Sequence, residues 1–293
     1  MIYNNILELI GQTPIIKLKT NNPQVSLYVK FEGHNPGGSI KDRAALNMIK
    51  EAERKGDLNK NKVILEASSG NMGIALSMIG IYQGYQVKII MSAGTSIERR
   101  KIIKSFGADL ILSDAKLGTK GALDLALDLV KKYPHKYWFA NQFNNSDNWR
   151  AHYQFTGREI LRDLEEIDYF VAGIGTGGTI IGIAKALKEK FSNVKVIGIL
   201  PPAGYHIQGI QNIYKDFFGN IYNSNLIDDF LEVSQKDAFR MVRKLARQEG
   251  LFLGMSSGAN AWGAFQLSEK IKKGNILTIL PDRGEKYLSS KLF

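Results

Sequence analysis

The sequence contains no cysteine, only four histidines, and no apolar run long enough to cross a membrane. The absence of cysteine excludes disulfides, zinc–cysteine sites, iron–sulfur clusters and a thiol nucleophile. The histidines stand in unrelated contexts and give metal chemistry little support, at His34, His135, His152 and His206. Residues 1–12 combine neither a basic start nor a long apolar stretch, so we expect a soluble, cytoplasmic protein with no membrane partner.

The chain carries a formal net charge of +11, which raises the question of nucleic-acid binding. Such binding would require the basic residues to be collected on one face or in a tail. Here they are interleaved with acids in helical segments such as 50–55 and 158–163. This pattern is typical of solvated helix faces, so we expect no nucleic-acid partner and only a secondary attraction for anionic substrates.

With 293 residues and 44% hydrophobic composition, the chain can form one large or two medium domains. Apolar runs predict strands at 26–32, 63–66, 87–91, 110–112, 137–140, 169–174, 194–200 and 276–280. Helical periodicity predicts helices at 42–54, 74–81, 97–106, 121–132, 149–163, 180–191, 237–249 and 259–271. This alternation predicts an α/β fold with parallel sheets covered by helices on both faces. It does not fix a domain boundary, although the polar stretch 141–148 is one candidate seam.

A lysine stands at the predicted start of the first helix, within the stretch 35–43. Ser39 and Asp42 have the spacing of a capping box, which would place Lys41 in the first helical turn. The positive end of the helix dipole would there favour the neutral, nucleophilic form of the amine. Taken alone, the pattern is also that of a solvated lysine near a helix start.

In a parallel sheet, ligands bind at the carboxyl ends of the strands, so the loops that follow strands are candidate sites. The loop 173–178 matches G-x-G-x-x-G, which is typical of dinucleotide-binding folds. That fingerprint also requires an acid at the end of the next strand, where this chain has the sequence GILPP at 198–202. The remaining loop of backbone amides and threonine hydroxyls suits a single phosphate, although a tight turn without a ligand would have the same sequence.

Three further loops carry polar side chains after predicted strands. The loop 67–71 could bind a carboxylate, and the Asn71 amide could reach a phenolic oxygen. Gln142 could donate to the same anion, and Ser256 precedes a predicted helix. Each also has a plain structural interpretation, as a turn, a surface glutamine or an N-cap.

One lysine near phosphate-binding and carboxylate-binding loops, on an α/β fold without cysteine, suggests a pyridoxal phosphate enzyme. From residues 10–14 (IGQTP) to the last residue, the chain resembles the cysteine synthases, or O-acetylserine sulfhydrylases. These enzymes have pyridoxal phosphate fold type II, as in tryptophan synthase β. The lysine motif at 32–45 and the ending at 282–293 are similar to the B-type enzymes.

The resemblance implies that Lys41 forms the internal aldimine with pyridoxal 5'-phosphate and later carries the α-proton. It implies that Asn71 bonds the phenolic oxygen of the cofactor and that Ser256 meets the pyridine nitrogen. The phosphate would be held by Gly175, Thr176, Gly177, Gly178 and Thr179. The substrate would be bound by Ser68, Ser69, Gly70, Asn71, Met72 and Gln142.

The implied reaction is a β-replacement that makes L-cysteine from an activated serine, most simply O-acetylserine, and sulfide, via an aminoacrylate intermediate. Alternatives are a cysteine lyase that releases hydrogen sulfide and a cystathionine β-synthase-type replacement; a threonine dehydratase or synthase fits the lysine motif less well. A binding or regulatory module without catalysis is disfavoured because Lys41 and Ser256 are both present.

The resemblance also implies an assembly and a domain division. A smaller mobile domain at 37–140 would close on a larger cofactor-binding domain made of 1–36 and 141–293. Homodimers are usual in this family, so we expect one, and a complex with serine acetyltransferase is left open.

Four residues depart from the pattern of the family or of its B-type members. Met72 replaces a threonine of the substrate loop, and Pro281 replaces a cysteine and looks more like the A-type or cystathionine-synthase ending. Gln211 and Asn212 replace paired arginines that would suit a large anionic sulfur donor, which weakens the case for thiosulfate.

Overall fold

The strands of the computed structural model form two sheets, and the structure describes residues 2–68, 70–213 and 219–293. The strands are β1 (Ile15–Leu18), β2 (Val25–Phe31), β3 (Val63–Ala67), β4 (Gln86–Ser92), β5 (Asp109–Ser113), β6 (Tyr137–Phe139), β7 (Tyr169–Gly173), β8 (Lys195–Leu200), β9 (Asp229–Glu232) and β10 (Gly274–Leu280). The six-stranded sheet has the order β1-β2-β10-β7-β8-β9, and the four-stranded sheet has the order β5-β4-β3-β6.

Helices connect most of these strands. They are α1 (Lys41–Lys55), α2 (Asn71–Tyr82), α3 (Ile97–Ser105), α4 (Gly118–Lys132), α5 (Asp147–Ala151), α6 (Gly157–Asp163), α7 (Gly178–Lys190), α8 (Gln235–Glu249) and α9 (Met255–Lys270). A π-helical turn, His152–Thr156, joins α5 to α6. Short 3-10 helices lie at Ile6–Leu9, Glu32–His34, Ala115–Leu117, Ser224–Leu226 and Gly284–Tyr287. In the described ranges, no helix is both long and apolar enough to span a bilayer.

Both sheets bury both faces, as the near-continuous apolar strands require. In the six-stranded sheet, Val171 and Ile276 pack in one core with α8 and α9. Their neighbours Phe170 and Leu277 pack in a second core with α7. The four-stranded sheet shows the same alternation, with Ile64 facing α1 and α2 and Leu65 facing α4. Successive strand side chains point to opposite faces, so each sheet is the middle of three layers.

The eight predicted strands and eight predicted helical segments are present, with differences at their ends. The predicted parallel sheets are present, and the one antiparallel pair among the described strands joins β2 to β1, a strand that was not predicted. β1 and β9 were not predicted, since each has only four residues and neither is fully buried. The helix predicted from Ala259 begins earlier, at Met255, so Ser256 lies inside α9 and the N-cap is Gly254.

A buried ion cluster fixes the start of α1 against the six-stranded sheet. The Arg43 guanidinium donates to both oxygens of Glu32, through Nε at 2.7 Å and Nη2 at 2.9 Å. It also donates to both oxygens of Glu159 on α6, at 2.6 and 2.7 Å. Lys30 on β2 adds a 3.0 Å contact with Glu159. This planar fork joins a helix, a strand end and a second helix, a geometry that arginine provides and lysine does not.

We expect Arg43→Met to lower the free energy of unfolding by about 3–5 kcal/mol, because it leaves two buried carboxylates without their main partner. Urea denaturation followed by circular dichroism measures the change. The matched control is Arg54→Met, which breaks the exposed Arg54–Glu51 pair of the same helix and should leave the transition unchanged. Equal stability of the Arg43 variant and the wild type would contradict this account of the cluster.

Candidate active site

Loops at the carboxyl ends of parallel strands from both sheets enclose a cavity of about 360 Å³. The loops that follow β3, β6 and β7 all contribute to its lining. A smaller cavity of about 80 Å³ lies against the β7–α7 turn. The side chains that line both cavities include Lys41, Asn71, Thr176 and Ser256. The two cavities thus lie at the strand ends, where the sequence predicted a site.

Lys41 is the first residue of α1, as the sequence predicted, but the predicted capping box does not form. Ser39 Oγ accepts from the Lys41 backbone N–H at 3.3 Å, and Asp42 instead accepts from the Gly37 N–H at 2.6 Å. The turn before the helix is also held by Ile40, whose N–H donates to a main-chain carbonyl just after β10 at 2.9 Å. Lys41 is thus placed at the boundary between the two sheets.

The electrostatics at the lysine favour a reactive amine. Burial lowers the pKa of Lys41 to about 8, and attraction to the Glu66 carboxyl partly opposes this shift. Burial also raises the pKa of Glu66 to about 8. The sequence predicts that the helix dipole favours the neutral amine. In the structure, desolvation is the largest cause of the lowered pKa of Lys41.

The β7–α7 turn presents backbone amides at the start of α7. Gly177 has φ +89°, a left-handed conformation that glycine adopts readily. A Cβ at Gly175 would lie 2.8 Å from the Gly209 carbonyl oxygen, and one at Gly178 would collide with Asn148 Oδ1. The Thr176 hydroxyl accepts from the Gly178 N–H at 3.2 Å, which fixes the turn. The backbone here can approach an anion closely.

The β3–α2 loop is held by its own side chains and by the segment after β10. Ser68 Oγ accepts from the N–H groups of Gly70 and Gly73, at 3.2 and 3.1 Å. Asn71 Nδ2 donates to Asp282 Oδ2 at 2.8 Å, and the same oxygen accepts from the Tyr287 hydroxyl at 2.7 Å. Within the described parts of the chain, Asn71 Oδ1 is buried without a hydrogen-bond partner. This loop therefore offers both donors and an open acceptor to the cavity.

The structure brings most of the predicted site residues together. Of these, Lys41, Ser68, Gly70, Asn71, Met72, Gln142, Gly175, Thr176 and Ser256 line the larger cavity. Gly177 and Thr179 line the smaller one, whereas Gly178 lines neither and begins α7 beside them. Ser69 lies outside the described residues.

The residues at the site that were not predicted from the sequence include Glu66, His152, Arg99 and Tyr287. Glu66 is the one charged residue of β3, a signal that its position next to the loop 67–71 could have supplied. His152 was treated as unconnected to the site, yet its ring lies 3.4 Å from the Thr179 hydroxyl. Arg99 and Tyr287 come from distant segments and stack at 4.4 Å, a contact that no local pattern indicates.

The comparison with family models identifies the class of protein. The model described as "Pyridoxal-phosphate dependent enzyme" matches residues 6–282, so the chain belongs to that family. The predicted class, an α/β fold of pyridoxal phosphate fold type II with two parallel-sheet domains, is confirmed. The domain bounds 37–140, and 1–36 with 141–293, stay a prediction.

Individual relatives narrow the class to enzymes like the cysteine synthases. The chain is 43% identical to cysteine synthase B of Campylobacter jejuni, over 100% of this chain and 99% of the relative. The structure of O-acetyl serine sulfhydrylase isoform 3 from Entamoeba histolytica superposes with a TM-score of 0.93 at 39% identity, over 100% of this chain and 92% of that one. A hydrogen sulfide-producing enzyme from Fusobacterium nucleatum gives 0.92 at 41% identity, over 98% and 100%. The predicted resemblance is confirmed.

The residues of the two cavities fit pyridoxal phosphate. The β7–α7 turn lies at the start of a helix and has glycine at 175, 177 and 178, so it lacks the Cβ atoms that would keep a phosphate from the backbone. Asn71 and Ser256, which line both cavities, offer neutral polar groups, and Lys41 offers the amine. This donor set matches the three polar features of the cofactor, namely a phosphate, an aldehyde and a ring with polar atoms.

We expect Lys41 to react with limiting acetic anhydride in the cofactor-free protein with a midpoint near pH 8. Its amine becomes neutral as the pH rises through that value, and only the neutral form is acylated. A lysine-containing model peptide added to the sample serves as the reference, with a midpoint of about 10.4. Mass spectrometry of both peptides across pH 6–11 measures the two curves. Coincident midpoints would contradict the lowered pKa.

Proposed function

We propose that the protein catalyses a pyridoxal phosphate-dependent β-replacement that makes L-cysteine from an activated serine, O-acetylserine, and sulfide. The observation that supports it most directly is the position of Lys41. Its amine has a lowered pKa and lines a cavity shared with a phosphate-type turn and a carboxylate-type loop. Cysteine synthase B of Campylobacter jejuni, at 43% identity over nearly the same length, supports the same activity.

When bound, pyridoxal phosphate supplies an electron sink that makes the α-hydrogen of the amino acid acidic. We propose that the phosphate lies on the amides of Gly175, Thr176, Gly177 and Gly178 and the Thr179 hydroxyl. Ser256 offers a neutral hydroxyl, where a carboxylate would strengthen the sink. A weaker sink favours loss of the group on Cβ over other reactions of the amino acid.

The substrate carboxylate is proposed to bind the loop at 68–72 together with Gln142. Ser68 and Asn71 are already fixed by hydrogen bonds, so little ordering is required when the anion arrives. Lys41 Nζ then removes the α-proton as acetate leaves from Cβ, and it returns the proton after sulfide has added to Cβ. The sum of the steps is O-acetylserine plus hydrogen sulfide to cysteine plus acetic acid.

The choice of sulfide over thiosulfate follows from the residues after β8. Gln211 lines the cavity without a charge, and the Asn212 amide donates to the Pro201 carbonyl oxygen at 3.1 Å. Neither residue supplies the pair of cations that a large dianionic donor would require. A small nucleophile therefore fits this side of the cavity better.

A second candidate function is a lyase reaction in which cysteine is the substrate and hydrogen sulfide is a product. The Fusobacterium nucleatum relative is described as hydrogen sulfide-producing at 41% identity, which favours testing it. The same lysine would remove the α-proton while the thiol leaves. That the enzyme works as a homodimer in the cytoplasm stays a prediction from the family resemblance.

We expect the holoprotein to form cysteine from O-acetylserine and sulfide faster than it releases sulfide from cysteine alone. Acid ninhydrin measures the first product and a methylene blue assay the second. Faster sulfide release than cysteine formation would replace the proposed direction with the second candidate.

Replacing Lys41 with alanine should lower kcat/KM by at least about 10³-fold, because the variant loses its acid–base group. It should also lose the visible absorbance that covalent attachment of the cofactor gives the wild type. The matched control is Lys50→Ala on the exposed face of α1, which should keep both activity and absorbance. Full turnover in the Lys41 variant would overturn the assignment.

A further inference from the structure

Glu66 is a carboxyl group in the middle of an apolar layer. The other four residues of β3 are valine, isoleucine, leucine and alanine, and all five positions are buried. The Glu66 side chain belongs to a residue that is only 1% exposed. A buried carboxyl is costly unless hydrogen bonds compensate for the lost water, so its partners indicate its role.

Both carboxylate oxygens of Glu66 accept hydrogen bonds from Gln142, which follows the neighbouring strand β6. The backbone N–H of Gln142 donates to Oε2 at 3.3 Å, and its side-chain Nε2 donates to Oε1 at 3.3 Å. The residue before it, Asn141, has φ +50°, a left-handed conformation that is uncommon for a residue with a side chain. The Glu66 carboxyl therefore holds both the backbone of the turn after β6 and the side chain of Gln142.

A further hydrogen bond fixes the main chain of Gln142. Its carbonyl oxygen accepts from Asn148 Nδ2 at 2.7 Å, and Asn148 Nδ2 also lies 3.2 Å from the Thr176 hydroxyl of the β7–α7 turn. Gln142 is thus fixed at its main-chain nitrogen, its main-chain oxygen and its side-chain nitrogen. The residue is 93% buried and the exposed remainder lines the main cavity.

The contact with Glu66 also settles which end of the Gln142 amide is fixed. The amide nitrogen carries two hydrogens. Because Glu66 accepts one of them, the nitrogen of the amide, and not its oxygen, faces Glu66. The second hydrogen stays available to an acceptor in the cavity. Above its pKa of about 8 the Glu66 carboxyl is ionised and can only accept hydrogen bonds. If the amide turned over, its oxygen would then face another acceptor, which is disfavoured.

We propose that Glu66 is a positioning residue that holds Gln142 with one amide hydrogen free for the substrate carboxylate, and so sets the affinity for the amino acid. The inference rests on the proposed function, which places an amino acid in this cavity. It assigns to Glu66 an effect on substrate affinity that is transmitted through Gln142, separate from the attraction between Glu66 and Lys41.

The test is a double-mutant cycle of Glu66→Gln and Gln142→Ala in the holoprotein at pH 9, above the pKa of about 8 of Glu66. Glutamine at position 66 keeps the shape but is a donor as well as an acceptor, so the Gln142 amide is no longer held in one orientation. We expect each single variant to raise the KM for the activated serine about tenfold, the effect of losing one hydrogen bond to a charged group. We expect the kcat of Gln142→Ala to change less than about threefold, because the proton transfer is left to Lys41. For Glu66→Gln the affinity is the readout, since Glu66 also attracts Lys41 and affects its pKa.

The double variant should bind no more weakly than Gln142→Ala alone, since Glu66 acts through a side chain that is already absent. A readout independent of turnover is the Kd of the holoprotein for L-alanine, an amino acid without a leaving group, measured by calorimetry. It should follow the same pattern as KM. The matched control is Glu53→Gln, which alters a carboxyl that accepts from the Tyr85 hydroxyl away from the cavity and should leave the Kd unchanged.

Two results would overturn the inference: an alanine Kd in Glu66→Gln within twofold of the wild type, or single effects that multiply in the double variant. A purely structural role for Glu66, independent of Gln142, would give the second result. Absence of cysteine formation in the wild type would instead count against the proposed function. The alanine measurements would then still decide the role of Glu66.

Discussion

The arrangement of the site depends on the buried fork that Arg43 forms with Glu32 and Glu159. These contacts tie the first turn of α1 to the end of β2 and to α6. Lys41 lies two residues earlier on the same turn, so its backbone has little freedom once Arg43 is fixed. Five hydrogen bonds offset the free-energy cost of burying the Arg43 charge. The ion pairs of Arg43 thereby fix the position of the Lys41 amine.

Desolvation then determines what the fixed amine can do. In water a lysine is almost wholly protonated at neutral pH, whereas burial brings the pKa of Lys41 to about 8. Glu66 limits this shift, since its charge would stabilise the ammonium form. The amine is thus close to balance between its two protonation states, which suits a group that must take up a proton and give it back.

The local signals in the sequence were sufficient for the layers of the fold and for the loops of the site. Strands such as β7 and β10 are buried on both faces and read as continuous apolar runs, so their place in the sheet follows from composition. The loops after β3 and β7 were recognisable because serine, glycine and threonine follow these runs closely. The antiparallel pairing of β1 depends on register with a distant strand, which periodicity does not encode.

What the sequence could not give were the contacts between segments far apart in the chain. Asp282 meets Asn71 across 211 positions, and Glu159 meets Arg43 across 116. Neither partner is unusual in its own neighbourhood. The start of α9 shows the same limit, because Gly254 takes the N-cap and so moves Ser256 into the helix. Such details are decided by packing between elements and not by local preference.

The lack of cysteine, noted first as a chemical limit, also bears on how the chain is made. The ribosome can translate these 293 residues without any charged cysteinyl-tRNA. Under the proposed function, an enzyme whose product is scarce can still be synthesised at the moment when that scarcity is greatest. Synthesis of the enzyme therefore does not depend on the supply of the amino acid that it makes.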